Sequence, residues 1–353
     1  MAKSLILHIG WRKAGSTALQ KFVFDNTRAD RLQHLGIVPA GRVAQERVLG
    51  ARVVAHHGLG GLARRRRCDQ AWRDASSFFA RRDLESFFVT SEVISSHLVR
   101  GGGHFCRLAE YVSSFDRVRV LCWLRRQDQY TASLAVQAAK HGGTGRERGD
   151  PEPLNWPRDA DYADVLERLA AILPRAEILP LVYRGPGHDV VREAIRLLGL
   201  DSKHLTAPDP GRINSRVSPE MYRVQIEVNR RAKARGMNTG KMQLLLLEAA
   251  ASLPGAGNAT HVAVPFTHAH RQRILERCLE SNRRLCARYG LDIAHFAPSA
   301  AELGKTPDFN IPDRVPKGYV AMLVEKLEGN RTDCSGPETD FIRACLDEVG
   351  DRG

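Results

Sequence analysis

The sequence lacks the long apolar runs that membrane spans and secretory signals require. Runs such as Leu244–Leu247 fall far short of the ~20 apolar residues that cross a bilayer. Near the start, Leu5–Leu7 is followed at once by His8 and soon by Arg12 and Lys13. A signal peptide needs a longer apolar core than this. We therefore expect no membrane span and no secretory signal.

Cysteine pairs at metal-binding or redox spacing are also missing. The 7 cysteines form no CxxC pair, and their number is odd. A disulfide framework needs paired cysteines in an oxidising compartment. The pattern favours a reduced, cytoplasmic protein, and no group of residues has the spacing of a metal site.

Acidic residues are scarce relative to basic ones. The 353 residues include 40 Asp and Glu against 53 Lys and Arg, which gives a net charge of +13. This excess suggests an anionic partner without identifying it. Because 43% of the residues are hydrophobic, the chain is not wholly disordered and is long enough to bury a large core.

Short apolar runs alternate with helix-type stretches in the first half of the chain. The predicted strands are residues 4–9, 87–91, 118–124 and 178–183. Pro180 marks the last of them as an edge or bulged strand. Helices are predicted over residues 15–24 and 129–140. Strands separated by helices predict an α/β fold whose parallel sheet is covered by helices on both faces.

From about residue 188 the apolar residues recur at helical spacing. The predicted helices are residues 188–198, 218–233, 241–251, 268–289 and 338–349. Ser218 followed by Pro219 is a typical helix start, and Gly290 is a plausible stop. We expect one domain over residues 1–353, with an α/β cofactor-binding core (1–190) and a mainly helical extension (191–353).

The segment His8–Thr17, HIGWRKAGST, joins the first predicted strand to the first predicted helix. A glycine-containing loop between strand and helix presents backbone N–H groups and a positive helix end to an anion. Gly10 and Gly15 have the spacing of the GxxxxGK[ST] glycines, but Ser16 stands where that motif has its lysine. Lys13 lies inside the loop instead. The segment therefore predicts a variant phosphate loop, not the usual nucleotidase signature.

This segment resembles the 5′-phosphosulfate loop of the sulfotransferase family, which typically reads H-x-G-x-x-K-T-G-[ST]-T. The chain departs from that pattern only at Ala14, where threonine is usual. The resemblance implies a three-layer, P-loop NTPase-like fold and 3′-phosphoadenosine 5′-phosphosulfate (PAPS) as the donor, with no metal required. It assigns donor binding to Arg12, Lys13, Ala14, Gly15, Ser16 and Thr17.

A second family element binds the donor's 3′-phosphate. It consists of an arginine at the end of the third predicted strand and a serine eight residues later on the next helix. Arg125 and Ser133 match this pattern. Arg126 is the competing arginine, one residue along. The resemblance, which covers roughly residues 3–185, implies that Arg125 and Ser133 hold the 3′-phosphate.

Sulfuryl transfer by in-line displacement needs a cation at the leaving phosphate and a base for the acceptor. Lys13 is the predicted cation. Glu92 follows the second predicted strand, where family members that act on glycans place a glutamate, and it is the predicted base. His97 and then His141 are the alternatives, because members that act on small molecules use a histidine.

The sequence leaves the adenine and acceptor contacts open. Trp11, Tyr183 and Tyr319 are candidates for stacking on adenine. Residues 142–161 and 40–70 are candidate acceptor-binding segments. The resemblance to bacterial carbohydrate sulfotransferases implies a glycan or glycoconjugate acceptor, with a small hydroxylated metabolite as the alternative. Ser281-Asn282 also looks like a stretch of bacterial members, without an assigned chemistry.

Two rival functions use other features of the sequence. In a P-loop ATP-dependent kinase or NTPase, Lys13 would bind phosphate and Glu92 or Thr17 would hold Mg²⁺. In a nucleic-acid-binding protein, Arg64–Arg67 and the arginine-rich stretch 223–235 would contact phosphates. No nucleic-acid-binding signature accompanies those arginines, so we expect no nucleic-acid partner.

Overall fold

The computed structural model describes residues 3–29, 31–34, 37–39, 45–48, 51–54, 65–80, 86–92, 94, 95, 98, 107–143, 158–185, 188–206, 217–253, 262–305, 308–329 and 337–351. The chain divides into two compact units. The first contains Met1–Tyr130, Trp156–Ile213 and Glu276–Ala297. The second contains Thr131–Asn155, Asn214–Leu275 and Pro298–Gly353.

The first unit is built on a parallel sheet of five strands. These are β1 (Ser4–His8), β2 (Ile37–Pro39), β5 (Ser86–Thr90), β6 (Arg117–Arg125) and β7 (Glu177–Tyr183), in the order β2-β5-β1-β6-β7. A separate antiparallel hairpin joins β3 (Gln45–Val48) to β4 (Ala51–Val54). The predicted α/β class and parallel sheet are confirmed.

The sheet forms where the sequence carries uninterrupted apolar runs. In β1 and β5 all residues after the first are buried, and β6 is buried from Val120 to Leu124. Burial of successive residues means that both faces of these strands are covered, as in parallel sheets generally. β7, with Pro180, lies at the edge as predicted, where a residue without an N–H is tolerated.

The carboxyl ends of the neighbouring strands define one edge of the sheet. His8 of β1 is in register with Thr90 of β5, and Arg125 of β6 is in register with Tyr183 of β7. In open parallel sheets, ligands bind at this edge. The predicted phosphate loop starts at this edge of the sheet, and Glu92 and Arg125 lie at the same edge.

The helices of the first unit lie between these strands along the chain, except the last, which follows β7. They are α1 (Ser16–Arg28), α2 (Arg31–His34), α3 (Arg65–Ala80), α4 (Leu108–Val112), the first residues of α5 (Gln127–Lys140), α6 (Tyr162–Ile172) and α7 (Val190–Leu198). Asp161 caps α6 and Asp189 caps α7, each accepting a backbone N–H of the first turn.

The second unit is helical. It contains α8 (Pro219–Ala234), α9 (Thr239–Ala251), the first part of α10 (His268–Tyr289), α11 (Ala300–Gly304), α12 (Lys317–Gly329) and α13 (Pro337–Asp351). Ser218 caps α8 by accepting from the N–H of Met221, with Pro219 in the first turn, as the sequence predicts. The core of this unit includes Tyr222, Met242, Leu246, Leu323 and Ile342. No helix in the described part of the chain is long and apolar enough to cross a membrane.

Candidate active site

The loop between β1 and α1 turns through two residues in left-handed conformations. Lys13 has φ 64° and Gly15 has φ 86°. Among the described residues, Lys13 is the only non-glycine with positive φ, a conformation that costs about 1–3 kcal/mol and is concentrated at functional sites. No side chain caps the α1 N-terminus. This loop has the geometry that collects backbone N–H groups around an anion.

Both glycines of the loop are required by close contacts. A Cβ on Gly10 would lie 2.5 Å from Ser16 Oγ and 2.7 Å from His8 Nε2. A Cβ on Gly15 would lie 2.5 Å from Val190 Cγ2. The glycine spacing found in the sequence therefore reflects a tightly packed turn and not a solvated loop.

We expect Gly15→Ala to lower the free energy of unfolding by more than Gly199→Ala does. Gly199 also has positive φ (66°), but no atom of the described residues lies within 4 Å of its Cβ position. Its alanine variant carries only the left-handed penalty of about 1–2 kcal/mol, whereas Gly15→Ala adds a clash with Val190, typically ~1–3 kcal/mol. Urea unfolding measures the difference. Val190→Ala in the Gly15→Ala background should recover part of the loss, and equal losses at the two glycines would contradict the clash.

Lys13 shares its surroundings with two other predicted site residues. Burial lowers the pKa of Lys13, Glu92 acts to raise it, and Arg125 lowers it further. Nη1 of Arg125 also donates to the Lys13 carbonyl oxygen at 3.2 Å. The structure thus brings together Lys13, Glu92 and Arg125, which lie on three separate segments of the chain.

Arg125, and not Arg126, faces the loop. Arg126 forms a buried bidentate pair with Asp128, at 2.7 and 3.0 Å. The guanidinium of Arg125 donates to Lys13 and to Gln129 Oε1, and it lies over the Tyr183 ring at 5.6 Å from its centroid. Burial lowers the pKa of Arg125. Among the described residues, no carboxylate forms an ion pair with it.

Ser133, the partner predicted for Arg125, lies on α5 one helical turn beyond Gln129 and is half-buried. It belongs to the part of α5 that falls in the second unit. The first unit therefore holds the arginine of the predicted pair, and the role of Ser133 stays a prediction.

Glu92 lies two residues beyond β5 and is half-buried. Its main chain is tied to the phosphate loop, because Ser95 Oγ donates to both the Glu92 and the Gly10 carbonyl oxygens, each at 3.3 Å. Of the alternative bases, His141 is exposed beside Gln137, with 2.5 Å between their Nε2 atoms. His97 lies outside the described residues.

The three aromatic candidates for adenine stacking have different surroundings. Trp11 is fully buried, and its Nε1 donates to the Asp159 carbonyl at 2.5 Å, so it is a core residue. Tyr319 pairs with Ser218 in the second unit. Tyr183 is half-buried, lies beneath Arg125, and has its Cε2 3.5 Å from the Cβ position of Gly15. Of the three, Tyr183 is the one whose half-buried ring lies beside the phosphate loop without being a core residue.

The remaining loop residues differ in exposure. Ala14 and Ser16 are buried, whereas Thr17 is half-buried at the start of α1. Arg12 is exposed, and its guanidinium bonds the hydroxyl of Tyr130. Tyr130 in turn donates to Asp159 at 2.9 Å. Arg12 therefore lies at the outer border of the loop.

Two polar groups beside the site were not recognised from the sequence. His8 is fully buried, contacts Thr90 Oγ1 through Nδ1 at 2.8 Å, and has its pKa lowered to about 3 by burial. Asn282 and Gln127 exchange two amide hydrogen bonds, at 2.6 and 3.2 Å, in the core. The Asn282–Gln127 pair gives the Ser281-Asn282 stretch a structural role. It anchors α10 to the first residue of α5, two residues after Arg125.

The arginines of α8 that were considered for nucleic-acid binding contact other residues of the protein. On α8, Arg230 and Arg231 pair with Glu227, and Arg231 also pairs with Glu348. Arg235 lies over the Phe341 ring. These arginines serve the packing of the second unit. Arg64 lies outside the described residues.

No group of three or more His, Cys, Asp or Glu side chains that could hold a metal ion is present within the described ranges. No protein-family model matches this chain. No curated protein sequence matches it either. The crystal structure of a sulfotransferase from Alicyclobacillus acidocaldarius is similar to 84% of this chain and 99% of that chain, with 14% identity and a TM-score of 0.45. A likeness this distant carries no argument about activity, so the function is argued from the site.

Proposed function

We propose that this protein is a sulfotransferase that uses PAPS as its donor and transfers the sulfuryl group to a hydroxyl or amine by in-line displacement. The observation that carries the proposal is the convergence of Lys13, Glu92 and Arg125 at the phosphate loop. A cation, a carboxylate and a second cation are the groups that this reaction needs. The motif in the sequence points to the same residues independently.

The residues present fit a donor that carries two separate anionic groups. Lys13 and the uncapped α1 N-terminus would hold the phosphosulfate end. Both hydrogen bonds of the Arg125 guanidinium go to uncharged oxygens, so its charge is available for a second phosphate. Tyr183, beside both groups, offers a ring face for the adenine. A partly buried arginine without a carboxylate partner is favoured by the binding of an anion.

Each of these groups has a separate chemical task. The donor supplies an activated sulfuryl group. Lys13 stabilises the negative charge that develops on the leaving phosphate, an effect that grows in a water-poor site. Glu92 accepts the proton of the attacking hydroxyl, and a positioned base of this kind contributes typically ~10²–10⁴-fold in rate.

For the acceptor we propose a glycan or glycoconjugate. The support is the residue type at the predicted base position, because glycan-directed members of the family resembled here use a glutamate there. A small hydroxylated metabolite is the alternative within the same activity. Transfer of ³⁵S from labelled PAPS to a panel of polysaccharides and small phenols distinguishes the two.

Calorimetric titration with adenosine 3′,5′-bisphosphate tests the proposal. We expect the native protein to bind this ligand and Arg125→Ala to bind it about 10- to 100-fold more weakly, because a hydrogen bond to a charged group contributes about 1.5–3 kcal/mol. Arg192→Ala is the matched control, since the Arg192 side chain is 88% exposed on α7. Binding of Mg²⁺-ADP without binding of the bisphosphate would replace the proposal with the kinase or NTPase alternative.

A further inference from the structure

A chain of buried polar side chains leads from α1 to the interior of the phosphate loop. It consists of Gln20, Thr90, His8 and Ser16, which are at most 3% exposed. Gln20 Nε2 donates to Thr90 Oγ1 at 3.4 Å, and Thr90 Oγ1 contacts His8 Nδ1 at 2.8 Å. Buried polar groups of this kind are costly unless they are satisfied, so their arrangement needs a reason.

Within this series of polar side chains, the second ring nitrogen of His8 is not hydrogen-bonded. Among the described residues, Nε2 of His8 has no hydrogen-bond partner although it is buried. Burial lowers the pKa of His8 to about 3, so the ring is neutral near pH 7 and one of its nitrogens carries a single proton. Thr90 Oγ1 accepts from Gln20. Where the Thr90 hydroxyl donates to Nδ1, the ring proton lies on Nε2.

Ser16 lies across a small space from this nitrogen, and in this structure the two atoms form no hydrogen bond. Ser16 Oγ and His8 Nε2 border the same carbon-sized space, since both lie within 2.7 Å of the position that a Cβ on Gly10 would take. The hydroxyl of Ser16 donates to the Trp11 carbonyl at 3.3 Å, which is long for an O–H···O bond. The serine is therefore held loosely at a point where an aimed hydroxyl would contact a bound anion.

We propose that His8 is a positioning residue of the phosphate loop: when an anion binds, His8 donates from Nε2 to Ser16 Oγ, and the Ser16 hydroxyl turns from the Trp11 carbonyl to donate its proton to the anion. The relay Gln20–Thr90–His8–Ser16 then runs in one direction, each group donating to the next. Glycine at position 10 keeps the space open that the last step needs. The inference rests on the proposed function, because it takes the anion to be the 5′-phosphate end of the donor.

Two substitutions at His8 separate positioning from packing. The amide nitrogen of glutamine can replace Nε2, whereas asparagine reaches Thr90 but not Ser16. We expect His8→Asn to weaken binding of adenosine 3′,5′-bisphosphate about tenfold, the value of roughly one hydrogen bond, and His8→Gln to restore most of it. In a Ser16→Ala background, His8→Asn should cause no further loss, because both changes break one contact.

Thermal unfolding without ligand serves as the control for folding, since it detects a merely structural loss. Additive losses of affinity in the double variant, or equal losses for the glutamine and asparagine variants, would overturn the proposal. A measurement on the native protein covers the case in which the variants do not fold. In ¹⁵N-histidine-labelled protein, the His8 ring should show the Nε2–H tautomer, and the Nε2 signal should shift when pyrophosphate or the bisphosphate is added.

An Nδ1–H tautomer would overturn the relay.

Failure of the proposed donor and failure of the proposed His8 role give different results. If the native protein binds pyrophosphate with the expected His8 response but does not bind the bisphosphate, the proposed donor is wrong and the positioning role stands. If the bisphosphate binds and the His8 signal does not change, the positioning role is wrong and the donor stands.

Discussion

Lys13→Met is expected to lower kcat for sulfuryl transfer by about 10²–10³-fold, the usual consequence of removing one group that stabilises charge in the transition state. Methionine keeps much of the length of the side chain without the cation. Lys13 is half-buried at the turn of the phosphate loop, where its charge interacts with both Glu92 and Arg125. Transfer of ³⁵S from labelled PAPS at saturating donor measures the effect.

Lys21→Met is the matched control for this variant. Lys21 lies on α1 shortly after the loop and pairs with Asp25 at 2.7 Å, so its removal takes away a nearby lysine without touching the loop. A loss of donor affinity with unchanged kcat would show that Lys13 binds ground state and transition state equally, and would contradict its catalytic role.

The pH dependence of the native protein provides an independent check on Lys13. Because burial lowers the pKa of Lys13, the ammonium loses its proton at a lower pH than an exposed lysine does. Activity should therefore fall on the alkaline side before ordinary lysines titrate. This alkaline limb should be absent from the residual activity of Lys13→Met. A limb that persists in the variant belongs to another group.

The three central strands of the sheet were predictable from sequence because they are buried on both faces. Continuous apolar runs, such as Val120–Leu124, favour a covered parallel strand. The short strand β2 was not predicted. Pro180 indicated an edge position for β7 because proline has no N–H to donate to a neighbouring strand. The hairpin β3–β4 was missed, since QERV has a single apolar residue and ARVV begins with alanine and arginine. Strands of that composition depend on their neighbours and not on their own pattern.

The site was predictable in part for a similar reason. The phosphate loop and Arg125 lie at strand ends, and a strand end is a local feature of the sequence. The choice between Arg125 and Arg126 depends on Asp128, whose bidentate contact removes Arg126 from the loop. An arginine followed two residues later by aspartate was the available signal. The partner of Gln127 is Asn282, far along the chain, and no local pattern indicates such a contact.

Trp11 shows the limit of reasoning from local position. From the sequence, Trp11 was one of three candidates for stacking on adenine, and a place in the core was equally open to it. In the structure, the short 3₁₀ turn Arg158–Ala160 covers it, and Tyr162 packs edge-on at 5.1 Å between ring centroids. The burial of Trp11 depends on a segment distant in sequence, so only the tertiary structure could reveal it.

Glu92→Gln is expected to lower kcat by about 10²–10⁴-fold while adenosine 3′,5′-bisphosphate binds at least as tightly as to the native protein. The amide keeps the size of the side chain but cannot accept the acceptor's proton. Because the carboxylate of Glu92 acts to raise the pKa of Lys13, it lies within electrostatic reach of the loop, where it also repels an anionic ligand. Removing that charge therefore favours ligand binding and disfavours turnover.

The alternative role of Glu92 is to serve only as the counter-charge of Lys13, and the pH profile separates the two roles. Without Glu92 the pKa of Lys13 falls further, so in both cases the alkaline limb of kcat/KM moves to lower pH. Only a general base also produces an acidic limb, which Glu92→Gln should abolish. Glu177→Gln, at the opposite end of β7 and paired with Arg117, is the control and should leave both limbs in place. A Glu92→Gln variant with near-native kcat and an unchanged acidic limb would eliminate Glu92 as the base and direct the search to His97 and His141.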